Sequence, residues 1–230
     1  MASIISFSGI ILIFIVGIFP TLIWLAFWLR EDRYQPEPIG LLFLTFIAGA
    51  IAVFLVLPFE SFATRNGISG VEKILIFAAA EEMIKFFIVF AIDFSSSYLD
   101  EPIDYAIYLI TGSLGFAGAE NVLFLLNKGV PTNISFIIET GILRFLGATV
   151  LHSILAAILG LSIGFVFYKS RANKIIFATI GLIIVIILHT LFNYFIIKYI
   201  QFNGFLTLGI LWFITLIIIH LFERVRAITH

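Results

Sequence analysis

The chain has no cysteine among its 230 residues. Disulfides, thiolate nucleophiles and zinc–sulfur centres are therefore excluded together, and the redox compartment stays open. Charge is scarce as well: Asp, Glu, Lys and Arg supply 12% of the sequence, about half the share of a water-soluble globule. Neither sign dominates, with 13 Lys and Arg against 14 Asp and Glu for a net charge of −1. No general basic field exists to hold nucleic acid. What fills the chain is apolar: 62% hydrophobic residues, 27 Phe and a mean hydropathy of +1.18. This composition predicts an all-α fold, a polytopic bundle of transmembrane helices in the cell membrane. The informative residues are then the few polar ones inside the spans.

A hydrocarbon core of about 30 Å takes about 20 apolar residues in helix. Seven stretches qualify, at 4–29, 40–58, 73–92, 103–126, 144–168, 174–200 and 205–222. Polar breaks separate them at 30–38, 60–70, 93–102, 127–133, 169–174 and 201–204. Segment 134–143 fits either an interfacial helix or the start of a tilted fifth span. Residues 1–20 lack a basic leader and a small-residue cleavage site, so the first span reads as retained. Residues 1–230 read as a single integral-membrane domain. Arg30, Arg33, Lys169, Arg171, Lys174, Arg224 and Arg226 fall on one side of the membrane, against Arg65, Lys73, Lys128 and Lys198 on the other. That bias predicts an outside N-terminus and an inside C-terminus. The acidic 93–104 segment reads as a solvated loop.

Ionisable groups inside spans cost several kcal/mol unless paired or wet, so each marks a candidate site. They are Glu81, Glu82 and Lys85 on span 3, Glu120 with Asn121 on span 4, Arg144 and His152 on span 5, and His189 with Asn193 on span 6. His220 and Glu139 read as interfacial, and Arg144 fits equally a snorkelling side chain or a substrate guide. Counted from the outer ends of their spans at about 1.5 Å per residue, Glu81, Glu120, His152, His189 and Asn193 all lie roughly 9–17 Å deep. A shared layer on four helices predicts one site. Lys85 lies four residues from Glu81 and three from Glu82, so its ammonium reaches either carboxylate. Small residues (Gly112, Gly115 and Ala119; Ser153, Ala156, Gly160 and Gly164) predict close packing of spans 4 and 5 at the centre, with spans 1 and 7 at the lipid edge.

Several chemistries suit this set. Carboxylates crowded together raise the proton affinity of one of them, giving a group that takes a proton from water and returns it to a leaving amine. Two His with Glu ligands (Glu81, Glu120, His152 and His189) alternatively suit a divalent metal such as Zn²⁺. No H-E-x-x-H, no G-x-S-x-G and no aspartate pair within a span is present, which disfavours zincin, serine and aspartyl hydrolysis. The rival reading is a proton-coupled transporter using the Glu/His set as a relay, though no internal repeat supports it.

Four elements in order also resemble a known family: Glu81-Glu82-Met83-Ile84-Lys85, the stretch Gly115 to Asn121 that ends in Glu120-Asn121, Arg144 followed by His152 and Gly160, and His189 with Asn193 four residues on. Asp100-Glu101-Pro102-Ile103-Asp104 and the approach to Pro38 are similar too, although Tyr105 stands where the family usually has Gly after its Asp. The pattern resembles the PrsW intramembrane proteases, relatives of the CAAX-prenyl-protease and bacteriocin-processing superfamily. CAAX-type relatives place His where Glu120 stands, so the likeness is to PrsW. The resemblance implies catalysis by Glu81, Glu82, Lys85, Glu120, His152 and His189, supported by Asn121, Arg144 and Asn193. It further implies a first, extracytoplasmic-side cut in a single-span substrate such as a membrane-anchored anti-sigma factor.

Overall fold

The computed structural model describes residues 7–30, 35–127 and 134–228, with the side chains of all of these but 199–205. Arg33, Lys128, part of the 30–38 and 127–133 breaks and the first residues of span 1 lie outside the described residues. Among the described residues all regular structure is helical: α1 (Phe7–Leu29), α2 (Ile39–Arg65), α3 (Gly70–Asp93), α4 (Asp104–Asn127), α5 (Ile134–Arg144), one π turn (Phe145–Thr149), α6 (Val150–Gly164) and α7 (Arg171–Arg226). Six stretches are long and apolar enough to cross a membrane: α1, α2, α4, Ile134–Gly164, and the Arg171–Lys198 and Leu206–Arg226 arms of α7. The seventh expected span is α3. It has 24 residues, a length of about 36 Å, but carries Glu72, Lys73, Glu81, Glu82, Lys85 and Asp93.

The 201–204 break is continuous helix by backbone, yet the chain reverses there. A Cβ on Gly181 would touch Ser162 Oγ at 2.4 Å, and one on Gly164 would meet Val225 Cγ1 at 2.9 Å. Positions 181 and 225 would stand about 66 Å apart on a straight helix, yet both rest on the last turn of α6. The two arms of α7 are therefore antiparallel, as the separate sixth and seventh spans required.

Other boundaries moved for identifiable reasons. The second span was expected to end at Pro58, but α2 runs on to Arg65. Proline deletes one backbone donor and bends a helix without always ending it. The helix stops instead where Ile68 N–H bonds Ala63 O at 3.1 Å and Gly67 N–H bonds Thr64 O at 3.2 Å. That Schellman closure places Gly67 at φ 70°, a conformation glycine adopts without strain. Segment 134–143 belongs to the fifth span, which starts at Ile134 rather than 144 and ends at Gly164 rather than 168. The 93–104 segment is not simply solvated: Asp93 and Asp104 are buried. Thr45 Oγ1 donates to Asp93 Oδ1 at 2.8 Å, and the N–H groups of Asp100 and Glu101 donate to Asp104 Oδ2 at 2.8 and 2.6 Å. These bonds replace the water that Asp93 and Asp104 Oδ2 would otherwise need.

Helix α4 is the axle of the bundle. In the most apolar 18-residue stretch of each span, 72% is buried for α4 and 78% for Ile134–Gly164, against 22% for α1 and for each α7 arm. Glycine makes the central approach possible. A Cβ on Gly115 would lie 2.0 Å from Phe46 O of α2, and one on Gly160 would lie 2.3 Å from Ala106 Cα of α4. Both contacts are with backbone, which cannot swing away. Gly160→Ala is therefore expected to cost about 1–3 kcal/mol. Thermal unfolding in detergent should show a lowered midpoint, whereas Gly209→Ala, whose Cβ meets nothing within 4 Å, leaves it in place.

Candidate active site

On α3 the helical repeat turns Glu82 and Lys85 to one face, and their ion pair closes at 2.6 Å between Glu82 Oε1 and Lys85 Nζ, both side chains buried. Lys85 thereby chooses Glu82 over Glu81. From the first arm of α7, His189 Nδ1 bonds the same Glu82 oxygen at 2.7 Å. Its other nitrogen, Nε2, faces Glu81 Oε2 at 3.8 Å. That buried carboxylate oxygen has no hydrogen bond among the described residues.

Helix α6 brings in His152, whose Nδ1 lies 3.0 Å from Lys85 Nζ and whose Nε2 lies 3.0 Å from Glu120 Oε2. An ammonium only donates, so Nδ1 accepts and the ring proton sits on Nε2, donating to Glu120. Ser113 Oγ donates to His152 O at 3.0 Å, fixing α6 against α4. The two imidazoles meet edge to face at 5.3 Å between centroids.

Arg144 does not snorkel. Its Nη2 pairs with Glu120 Oε2 at 2.9 Å, its Nε donates to Asn121 Oδ1, and its guanidinium lies 4.5 Å from the centre of the Phe124 ring. Asn121 completes the frame by donating to Thr149 Oγ1 at 3.2 Å and Gly17 O at 3.3 Å. The π turn Phe145–Thr149 explains how Arg144 and Thr149 serve one asparagine. Five residues apart they would diverge by about 140° on an α-helix, but a π turn bonds i to i+5 and brings them into register.

A continuous polar path thus runs from Glu81 through His189, Glu82, Lys85, His152 and Glu120 to Arg144 and Asn121, built from α3, α7, α6, α4 and α5. With neutral imidazoles it holds three carboxylates against two cations. Side-chain donor atoms of Glu81, Glu82, His152 and His189 lie within 4.8 Å of one another. Residues 37–221 match the PrsW family intramembrane metalloproteases.

The chain belongs to that family. Among its relatives, Protease PrsW of Geobacillus kaustophilus is 31% identical over 151 residues, which cover 64% of each chain. The Bacillus subtilis Protease PrsW is 25% identical over 181 residues, covering 77% of this chain and 79% of the relative. That of Oceanobacillus iheyensis is 28% identical over 207 residues, covering 87% and 91%. The alignment to the Geobacillus protein thus spans just under two thirds of that relative's length. No solved structure matches the chain. Family and apolar spans together make it a multi-pass membrane protease.

The donor set fits the metal that the family description implies. Each imidazole has a carboxylate behind one nitrogen, Glu82 on His189 Nδ1 and Glu120 on His152 Nε2, the arrangement that orients metal-binding histidines. His189 Nε2 and the unbonded Glu81 oxygen are the available ligands, whereas His152 Nδ1 accepts from Lys85 and would become a ligand only when that ammonium moves away. The sequence reading had Glu120 where the geometry groups Glu82; Glu120 stands one hydrogen bond further out. Lys85 already places a positive charge at His152 Nδ1. A site with one surplus negative charge favours a cation.

Glu81 and Glu120 both line a cavity of about 200 Å³ between α2 and α4, with Glu60, Val56, Phe124 and Asn127 in its walls. A larger cavity of about 460 Å³ between α6 and the α7 arms is walled by residues such as Leu155, Leu188 and Ile214, and contains none of the site side chains. Asn193 is half-buried one turn beyond His189, with no hydrogen bond among the described residues, and Glu139 and His220 are exposed. Glu60 is the residue that sequence reasoning missed. It was assigned to a break after Pro58, whereas five further residues of helix follow it.

Proposed function

We propose that the chain as a whole is one integral-membrane endopeptidase unit that cuts a single-span membrane protein near the extracytoplasmic face, as in the site-1 cleavage of an anti-sigma factor. The observation that carries this is the α2–α4 cavity. It exposes Glu81 and Glu120 to an incoming peptide while the partners Lys85, Arg144, His152 and His189 stand behind them. The Lys/Arg bias supports an N-out, C-in orientation, which puts the site in the outer half of the bilayer.

Glu81, His189 and His152 would hold a divalent ion, most naturally Zn²⁺. When bound, that ion supplies Lewis acidity and a lowered proton affinity for water. The remaining roles belong to the chain. Both described contacts of Glu120 fall on Oε2, so its other oxygen accepts a proton from the attacking water and returns it to the leaving amine nitrogen. Arg144 holds that carboxylate in place. Glu82 orients His189, and Lys85 neutralises Glu82. Asn121 fixes Arg144, and Asn193 would supply a hydrogen bond to substrate or to a neighbouring helix.

The test is cleavage of a single-span substrate by the purified chain in proteoliposomes, with the cut located by mass spectrometry. We expect a fragment ending within or at the outer edge of the substrate's span. The fragment should disappear on chelation and return with one metal in preference to others. Metal content should fall in His189→Ala. A chelator-insensitive cut by metal-free protein would overturn the metal assignment, and no cut in any single-span substrate would overturn the function.

A further inference from the structure

The cavity that reaches Glu81 and Glu120 has a third carboxylate, which the mechanism above does not use. Glu60 sits on α2 five residues before its end, and Asn127 is the last residue of α4, so these two mark the mouth while Glu81 and Glu120 lie at the floor. The walls between them are apolar, with Val56 on one side and Phe124 on the other. Among the described residues no cation lines this cavity. Arg144 and His152 meet Glu120, and His189 meets Glu81, from elsewhere in the bundle. Lys73, whose charge reaches Glu60, is not part of the lining either. Glu60 has no hydrogen bond to its carboxylate among the described residues.

An apolar channel with a carboxylate at its mouth suits a side chain that is hydrocarbon along its stem and positive at its tip. We propose that the α2–α4 cavity is a specificity subsite for a lysine or arginine of the substrate close to the cut bond, and that Glu60 is the residue that holds its charge. An acidic substrate residue there would meet three carboxylates and, among the described residues, no lining cation, which penalises the wrong partner as well as favouring the right one. This inference rests on the proposed peptidase reading and deepens it.

The experiment uses the full chain in proteoliposomes and a single-span substrate whose mapped cut is flanked, one position at a time, by Ala, Lys or Glu. At one flanking position the wild type is expected to cut the Lys substrate about tenfold faster in kcat/KM than the Glu substrate, a modest effect for one placed charge pair. Glu60→Gln should shrink that ratio toward one, and Glu60→Lys should invert it. Equal cutting of Lys and Glu substrates by wild type at every position would overturn the subsite. So would a Lys/Glu ratio that stays at its wild-type value in both Glu60 variants. In those two outcomes cleavage persists and the peptidase reading stands. Absence of any cut by wild type removes the peptidase reading and the subsite with it.

Discussion

Glu81→Gln is expected to lower kcat/KM by about 10³-fold while the bundle stays folded. The substitution keeps the shape and removes the charge. Glu81 Oε2 takes no hydrogen bond among the described residues and faces His189 Nε2 across 3.8 Å. An unmatched buried carboxylate oxygen costs stability unless something uses it, so neutralising it should leave stability unchanged or raise it. The catalytic loss has the size that follows when a charged ligand of the ion that would activate water is removed. Measuring kcat/KM beside the thermal midpoint separates the two effects. A Glu81→Gln variant that is slow only because it is unfolded would not support the assignment.

Lys85→Met carries the second large effect, and it falls on the fold as well as on activity. Lys85 pairs with Glu82 at 2.6 Å and donates to His152 at 3.0 Å in a buried setting. Removing one member of a buried pair leaves the other charge uncompensated, at about 3–5 kcal/mol. The thermal midpoint should therefore fall markedly, and more than for Glu81→Gln. Adding Glu82→Gln to Lys85→Met removes the stranded charge and should recover part of the midpoint, since contacting residues are not additive. Activity should not return, because His189 would lose the carboxylate that orients it. A double variant as unstable as the sum of its singles would show that the pair does not act as one.

Much of this site can be read along the chain, and the exceptions have physical causes. Glu81, Glu82 and Lys85 announce themselves by charge in an apolar helix, and counting residues from span ends gives Glu120 and His189 a common depth. Depth is only one coordinate. It does not say that Lys85 turns to Glu82, because rotamer and neighbouring helices decide between three- and four-residue partners. Nor could it say that Arg144 turns inward, which depends on a π turn with no composition signature. Glu60 was hidden by Pro58, which looks like a helix end and here is not one. Asp93 and Asp104 read as solvated because their partners, the Thr45 hydroxyl and two loop N–H groups, come from elsewhere or from backbone. The reversal of α7 falls in a stretch whose backbone stays helical, so only contacts with α6 reveal it.

The central assertion is that side chains from separate helices form one catalytic unit. The most direct measurement is kcat/KM on a single-span substrate for Glu81→Gln, Glu120→Gln and His189→Ala, singly and in pairs. Residues that act as one unit lose nearly everything on the first substitution. Each single variant should therefore be almost inactive, and each double no worse than its poorer single. Losses that multiply from single to double, or any single variant cutting at the wild-type rate, would contradict the account.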